Sequence, residues 1–357
     1  MNEVPLFYVY TYNDVDRAFW ETHLEGWVPR KLMDAHVHIV DPAFQIEPLT
    51  EELRRSYWVM ELLEMQSAET ADRCIATVFP GRDVRCLGFG MPSLDWDIEG
   101  SNDYVFAEMV RREWNALALV CPSWTAEYVD SLLARPGVVG VKPYYQMIGR
   151  DVQQRDRYIE ASIFDFLPHH QLEVLDARGA WVTLHVPRSD RLGHPDNIRE
   201  IKELRRRYPS IVLVIAHLGR SYTLPHAEEG LTPLADDPGL YFDNSAVLNP
   251  EVHRFALKTL GPDRILYGTD NPVFYMRGRR QYHGTTYINR TSHPFYFNKD
   301  REAPEIEAQY TLYMYEALRA LKWACEMESI SAERVQAIFH DNARSLMDRV
   351  LNRKGTA

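Results

Sequence analysis

The feature that most constrains this chain is a rhythm: a short run rich in Val, Ile and Leu, followed by an amphipathic stretch, repeated along most of its length. Runs with little polar alternation are expected of strands covered on both faces. Their alternation with helices is the pattern of βα units around a parallel sheet. Eight runs can be marked, at residues 32–39, 74–79, 116–121, 138–143, 180–186, 211–217, 240–243 and 264–270. Eight such units predict an α/β protein of the (β/α)8 TIM-barrel class, and 357 residues suit one barrel with additions. A doubly wound open sheet is the rival, but no GxGxxG follows an early strand.

The helical stretches carry their own punctuation. One over 125–134 precedes Pro136. Pro168 suits the first turn of a helix running to Arg178, with Gly179 as its stop. Asp196 is the expected cap of 197–208, and Pro250 opens a helix closing at Gly261. Outside the minimal barrel lie an aromatic-rich extension (1–30), a segment dense in Arg, Tyr, His and Phe (274–304), two helices near 305–327 and 331–350, and a tail (351–357). The expected organisation is therefore a barrel over 31–350, including the 274–304 insertion, with an extension before it.

The content of 45% hydrophobic residues permits a large core. A net charge of −11, from 40 basic and 51 acidic residues, argues against nucleic acid or an anionic membrane as partner and for a small molecule. The first residues show no basic, then apolar, leader, and no apolar run reaches the roughly 18 residues of a membrane span. The four cysteines are scattered without a CxxC pair and read as reduced thiols of a cytoplasmic protein.

Asp34-Ala35-His36-Val37-His38 ends the first apolar run. Residues i and i+2 of a strand face the same way, so the two imidazoles can meet one point at the end where barrels place their active sites. A bare HxH is a weak signal. Position strengthens it, because His185 ends the fifth run, His217 the sixth and Asp270 the eighth. These five metal-competent side chains converge on one mouth if the barrel closes.

With those residues in view, the chain resembles the amidohydrolase superfamily. LMDAHVHI, VIAHLG, ILYGTDNP and IFHDNARSLM are similar to its amidohydrolase-2 branch, which includes aminocarboxymuconate-semialdehyde decarboxylase-like proteins. The resemblance spans roughly 32–350 and leaves out the extension and the insertion. It implies one divalent ion, zinc with manganese as the alternative, held by His36, His38, His185 and Asp270. It also implies a metal-activated water, with His217 or Asp270 taking its proton. Lys142 ends the fourth run. It is expected to face substrate or a salt bridge; the alternative is a carboxylated lysine bridging two ions, with His217 on the second.

Arg188 and Arg220 each follow a strand-end histidine by three residues, and Arg277, Arg279 and Arg280 stand on the insertion. Arginine suits bidentate carboxylate recognition, so an anionic substrate is expected, with surface ion pairing as the plain alternative. The insertion's aromatic residues either line a lid or pack at the interface of a homodimer. The expected function is hydrolysis of a small carboxylate-bearing molecule. The alternative is non-oxidative decarboxylation of an aromatic or unsaturated acid at the same metal site.

Overall fold

The computed structural model describes residues 3–56, 61, 66–151 and 154–354. Two short strands, β1 (Val4–Phe7) and β2 (Tyr10–Tyr12), form a hairpin at the start. Eight parallel strands follow: β3 (Lys31–His38), β4 (Asp83–Phe89), β5 (Asn115–Leu119), β6 (Val138–Lys142), β7 (Trp181–Leu184), β8 (Val212–Ile215), β9 (Leu240–Asp243) and β10 (Ile265–Leu266). They lie side by side in chain order with helices between them, which makes the fold an α/β TIM barrel. Strands β5 to β8 are buried at every residue, as their near-continuous apolar sequences require. Gly140 in β6 has no room for a side chain, because a Cβ there would sit 1.8 Å from the Trp181 carbonyl oxygen.

The second run was misassigned. Residues 74–79 fall largely in a helix, Ala68–Val78, whose buried Ala68, Ala71, Cys74, Ile75 and Val78 repeat at three- and four-residue spacing. Ser67 caps it through the Thr70 amide. The strand is Asp83–Phe89, whose charged first half hid it. Other boundaries move less. His194, and not Asp196, caps the helix Pro195–Arg207, its Nδ1 accepting from the Asp196 amide. Gly179 ends its helix in the left-handed conformation (φ 57°), as expected. The single helix expected at 305–327 is a turn, Pro304–Glu307, followed by Tyr313–Met327. The next is broken by a π turn, Ala337–Asp341, before Asn342–Lys354. Asn342 there ties the Pro262 and Ile265 carbonyls through Nδ2. Residues 355–357 of the expected tail lie outside the described residues, as do 1 and 2 of the extension.

The insertion contributes a second hairpin, β11 (Gly278–His283) with β12 (Thr286–Thr291). The N-terminal extension anchors its base. Arg277 donates to the buried Asp16 carboxylate and to the Thr11 and Tyr310 carbonyls. All four cysteines are buried and unpaired. Among the described residues no helix is long and apolar enough to cross a membrane.

The seam between the first and eighth barrel strands is made by backbone bonds from Ala35 to Tyr267, Asp270 to His36 and His38 to Asn271, each 2.9 Å. The buried Asp34 carboxylate reinforces it, accepting from the Thr269 amide (2.9 Å) and hydroxyl (2.6 Å) and from the His36 amide (3.2 Å). Asp34→Ala should leave these donors unsatisfied and lower the unfolding free energy by about 2–4 kcal/mol, measured in urea. An unchanged midpoint would show that the seam does not depend on this carboxylate.

Candidate active site

The residues at the open end of the barrel are aimed by strand ends and by short left-handed turns. His36 and His38 share one face of β3. Asp270, just past β10, has φ 62°, and the chain after β8 runs through four consecutive left-handed residues, with His217 at 56°, Leu218 at 48°, Gly219 at 71° and Arg220 at 62°. Non-glycine residues rarely adopt this conformation, and it costs energy that surrounding structure must offset. Here the His217 amide is held by Asp243 (2.9 Å), and the turn directs the imidazole into the barrel mouth.

Hydrogen bonds set the tautomers. His36 Nδ1 is 3.0 Å from Asp243 Oδ2. Burial, with the nearby Lys142 charge, pushes the His36 pKa down to about 3, so its ring is neutral and Nδ1 carries the proton. His38 Nδ1 faces the Gly90 carbonyl (3.2 Å), which can only accept. In the neutral tautomers that these bonds select, both Nε2 atoms present lone pairs, and each lies 3.4 Å from Asp270 Oδ1. Asp270 is itself ionised: despite burial, His217, His38 and His36 hold its pKa at about 2. Three electron-pair donors thus converge with no proton needed between them, which is the arrangement a cation fits.

His36, His38 and Asp270 offer one donor atom each, all within 4.8 Å of one another. A second such group, His36, His217 and Asp243, is of a different kind, because its contacts are occupied by hydrogen bonds. Ser245 Oγ donates to Asp243 and stands 2.8 Å from His217 Nδ1. A hydroxyl whose proton is spent in that way must accept, so His217 Nδ1 is the protonated nitrogen and Nε2 is free. His217 is held neutral chiefly by burial.

A cavity of about 220 Å³ encloses these groups. It is lined by His36, His38, His185, His217 and Asp270, so all five strand-end residues meet there. His185 stands outside the 4.8 Å group, its buried Nδ1 without a hydrogen-bond partner among the described residues. Lys142 also lines the cavity, with Nζ buried, without a hydrogen-bond partner among the described residues and 5.1 Å from the centre of the Phe89 ring. Burial lowers its pKa to about 8, against the pull of Asp243 and Asp270. Arg220 reaches the cavity too, anchored to the Arg188 carbonyl at 2.6 Å.

Arg188 does not reach it. Its guanidinium is buried against Glu200 (3.1 Å) and Asn197 (3.0 Å), so its positive charge is spent inside the fold. Arg277 and Arg279 are likewise paired, with Asp16 and Glu302, while Arg280 enters the cavity. Sequence reasoning missed Asp243, Ser245 and Arg191. Asp243 was visible as the last residue of the seventh run, but its role depends on His36, 207 positions away. Phe89 was missed with its strand; its ring packs edge-on against His36 and His38 at 5.0 and 4.7 Å.

This barrel and site define a class of strand-end histidine and aspartate enzymes on a TIM scaffold. The amidohydrolase family model matches residues 33–349, and the chain belongs to that amidohydrolase-2 family. No curated protein matches. Solved structures of similar fold include an amidohydrolase from Burkholderia multivorans with bound HEPES (TM-score 0.55, 12% identity, 89% of this chain and 99% of the other). Another is a probable 2-pyrone-4,6-dicarboxylic acid hydrolase from Acinetobacter baumannii with citric acid bound (0.53, 14%, 89% and 99%). A third is a dihydroxybenzoic acid decarboxylase from a Polaromonas species with bound manganese and 2-nitroresorcinol (0.52, 14%, 90% and 97%).

The buried histidines predict a pH dependence. Burial holds His185 well below its ordinary 6.5, so the folded chain keeps it neutral while the unfolded chain protonates it. Its contribution to stability is present above pH 6.5 and is lost as pH falls toward the folded pKa. His185→Leu should make unfolding free energy less steep in pH between 6 and 4.5, by up to ~1.4 kcal/mol per pH unit. Urea titrations across that range check this; equal slopes in the two proteins would refute it.

Proposed function

We propose that the chain is a metal-dependent hydrolase of a small carboxylate-bearing molecule. The observation that carries this reading is the convergence of His36 Nε2, His38 Nε2 and Asp270 Oδ1, three unprotonated donors, beside a free His217 Nε2. His36, His38 and Asp270 would hold the ion, with His185 as fourth ligand through a nitrogen that otherwise lacks a partner. Two or three imidazoles and one carboxylate suit zinc, with manganese the alternative. When bound, such an ion supplies a Lewis acid and makes water nucleophilic near neutral pH.

The protein's own part follows from its hydrogen bonds. His217 Nε2 takes the proton of the attacking water and returns it to the leaving group. The Nδ1–H bond to Ser245, backed by the Asp243 carboxylate, stabilises the charge His217 gains meanwhile. Lys142 Nζ and the Arg220 guanidinium bind the substrate carboxylate, and the buried cavity walls strengthen both contacts by excluding water. The same wall of cations supports a second reading, non-oxidative decarboxylation, in which a carboxylate held by Lys142 and Arg220 leaves as carbon dioxide and His217 Nε2, first protonated from solvent, delivers the replacing proton to the carbon.

His36→Ala and Asp270→Ala should each lose most of the divalent metal found by elemental analysis of the wild type. His217→Asn should keep the wild-type stoichiometry while kcat drops by about two to four decades. Turnover is sought with carboxylated lactones and esters, scoring acid release, and with hydroxybenzoates, scoring carbon dioxide. Wild-type protein that neither holds nor responds to Zn or Mn refutes the metal reading. Carbon dioxide without hydrolysis would replace the first reaction with the second.

A further inference from the structure

The inserted hairpin presents one of its faces to the cavity. Cross-strand partners point the same way, and residues two apart share a face. The pairs Arg280–Asn289 and Tyr282–Tyr287 therefore lie on one side, and Arg279–Arg290 and Gln281–Ile288 on the other. On the outward face Arg279 pairs with the Glu302 carboxylate, while Arg290 rests on Gln281 and the Asp300 carbonyl. The cation of the inward face has no carboxylate partner among the described residues. Arg280 is bonded to Asn289 Oδ1 (2.9 Å) and to the Ala246 carbonyl (3.0 Å), neither of which carries charge.

A second guanidinium meets it there. Arg191 lies 5.5 Å from the centre of the Tyr222 ring and 5.9 Å from that of Tyr287, while Arg280 lies 5.2 and 4.5 Å from the same two rings. Among the described residues no carboxylate pairs with Arg191, Arg220, Arg280 or Lys142, and Arg191 Nε is buried without a partner. Four cationic side chains thus share a cavity in which, among the described residues, the only carboxylate is Asp270. Bringing like charges together out of water is unfavourable unless an anion joins them. Arg191 and Tyr287 also border a separate open depression along the hairpin that His36, His38 and Asp270 do not line, so these two residues stand where the cavity meets the surface.

We propose that Arg280 and Arg191 form a second anion subsite, built by the inserted hairpin, and that the substrate is a planar molecule carrying two carboxylates. This rests on the reading of the cavity as a site for a small carboxylated molecule. One carboxylate lies toward Lys142 and Arg220, the other between Arg280 and Arg191. Tyr222 and Tyr287, packed edge to face at 5.4 Å, form an aromatic wall beside the planar body. Arg280 is thereby the specificity-determining residue that the hairpin adds to the barrel.

The test is calorimetric binding of benzoate and of benzene-1,2-, 1,3- and 1,4-dicarboxylate to the protein as purified, with metal content measured on the same samples. At least one dicarboxylate should bind about tenfold or more tightly than benzoate. Arg280→Gln should bring that dicarboxylate to within about threefold of benzoate. Arg280→Lys should restore part of the preference, which a merely structural residue would not do. Should Arg280→Gln fail to fold, Arg191→Gln gives the same readout. The proposal falls if no dicarboxylate is preferred, or if the preference survives both substitutions. Protein that holds no metal, and takes up none when Zn or Mn is added, yet keeps the preference would sink the metal reading and leave the subsite standing. Metal-loaded protein without the preference would do the reverse.

Discussion

The open end of this barrel is organised around a single buried carboxylate, that of Asp243. An ionised group removed from water has to be compensated by hydrogen bonds or charge. Asp243 is compensated by the His36 imidazole, the His217 amide, and the Ser245 amide and hydroxyl; His36 above all, with His217 and the Ser245 hydroxyl, holds its pKa below the usual carboxylate range in spite of burial. Each of those bonds does something at a distance. The first fixes the His36 tautomer and turns Nε2 toward Asp270. The second holds the left-handed turn that aims His217. The hydroxyl, by donating to Asp243, obliges His217 to keep its proton on Nδ1. One carboxylate on the seventh barrel strand thereby orients groups on the first and the sixth, as outer partners of metal-binding histidines do elsewhere.

Charge is distributed against the overall balance. The chain carries a net charge of −11, yet its cavity is cationic. The excess of acid is spent elsewhere, where Glu200 neutralises Arg188, Asp16 neutralises Arg277 and Glu302 neutralises Arg279. Arginines three residues apart in sequence therefore have opposite fates. Arg277, just before β11, is a clamp that fastens the insertion to the N-terminal extension, whereas Arg280, within β11 on the face turned to the cavity, is left there without a carboxylate partner among the described residues. The extension thus bears on the site without contributing a residue to it.

Much of this was legible beforehand. Short apolar runs ending in His36, His38, His185, His217 and Asp270 are enough to place five side chains at one end of a parallel barrel, because strand direction and a closed sheet leave no other place for them. Reading strand two failed for a physical reason: Cys74, Ile75 and Val78 are apolar at helical spacing, whereas Asp83–Phe89 opens with three residues that face solvent in part. Arg188 and Arg220 have the same offset from a strand-end histidine, and sequence treats them alike. Pairing separates them, and pairing with Glu200 depends on a helix packing against the loop.

The sequence by itself determined the fold class and the set of metal-competent side chains, since both follow from local periodicity and from which residue ends each run. Tertiary structure alone decided the tautomers, the identity of the free cations and the role of Asp243. Those properties belong to atoms brought within about 3 Å from positions hundreds of residues apart. Hydrogen bonds and ion pairs fall off over such short distances that no pattern along the chain can encode which donor meets which acceptor.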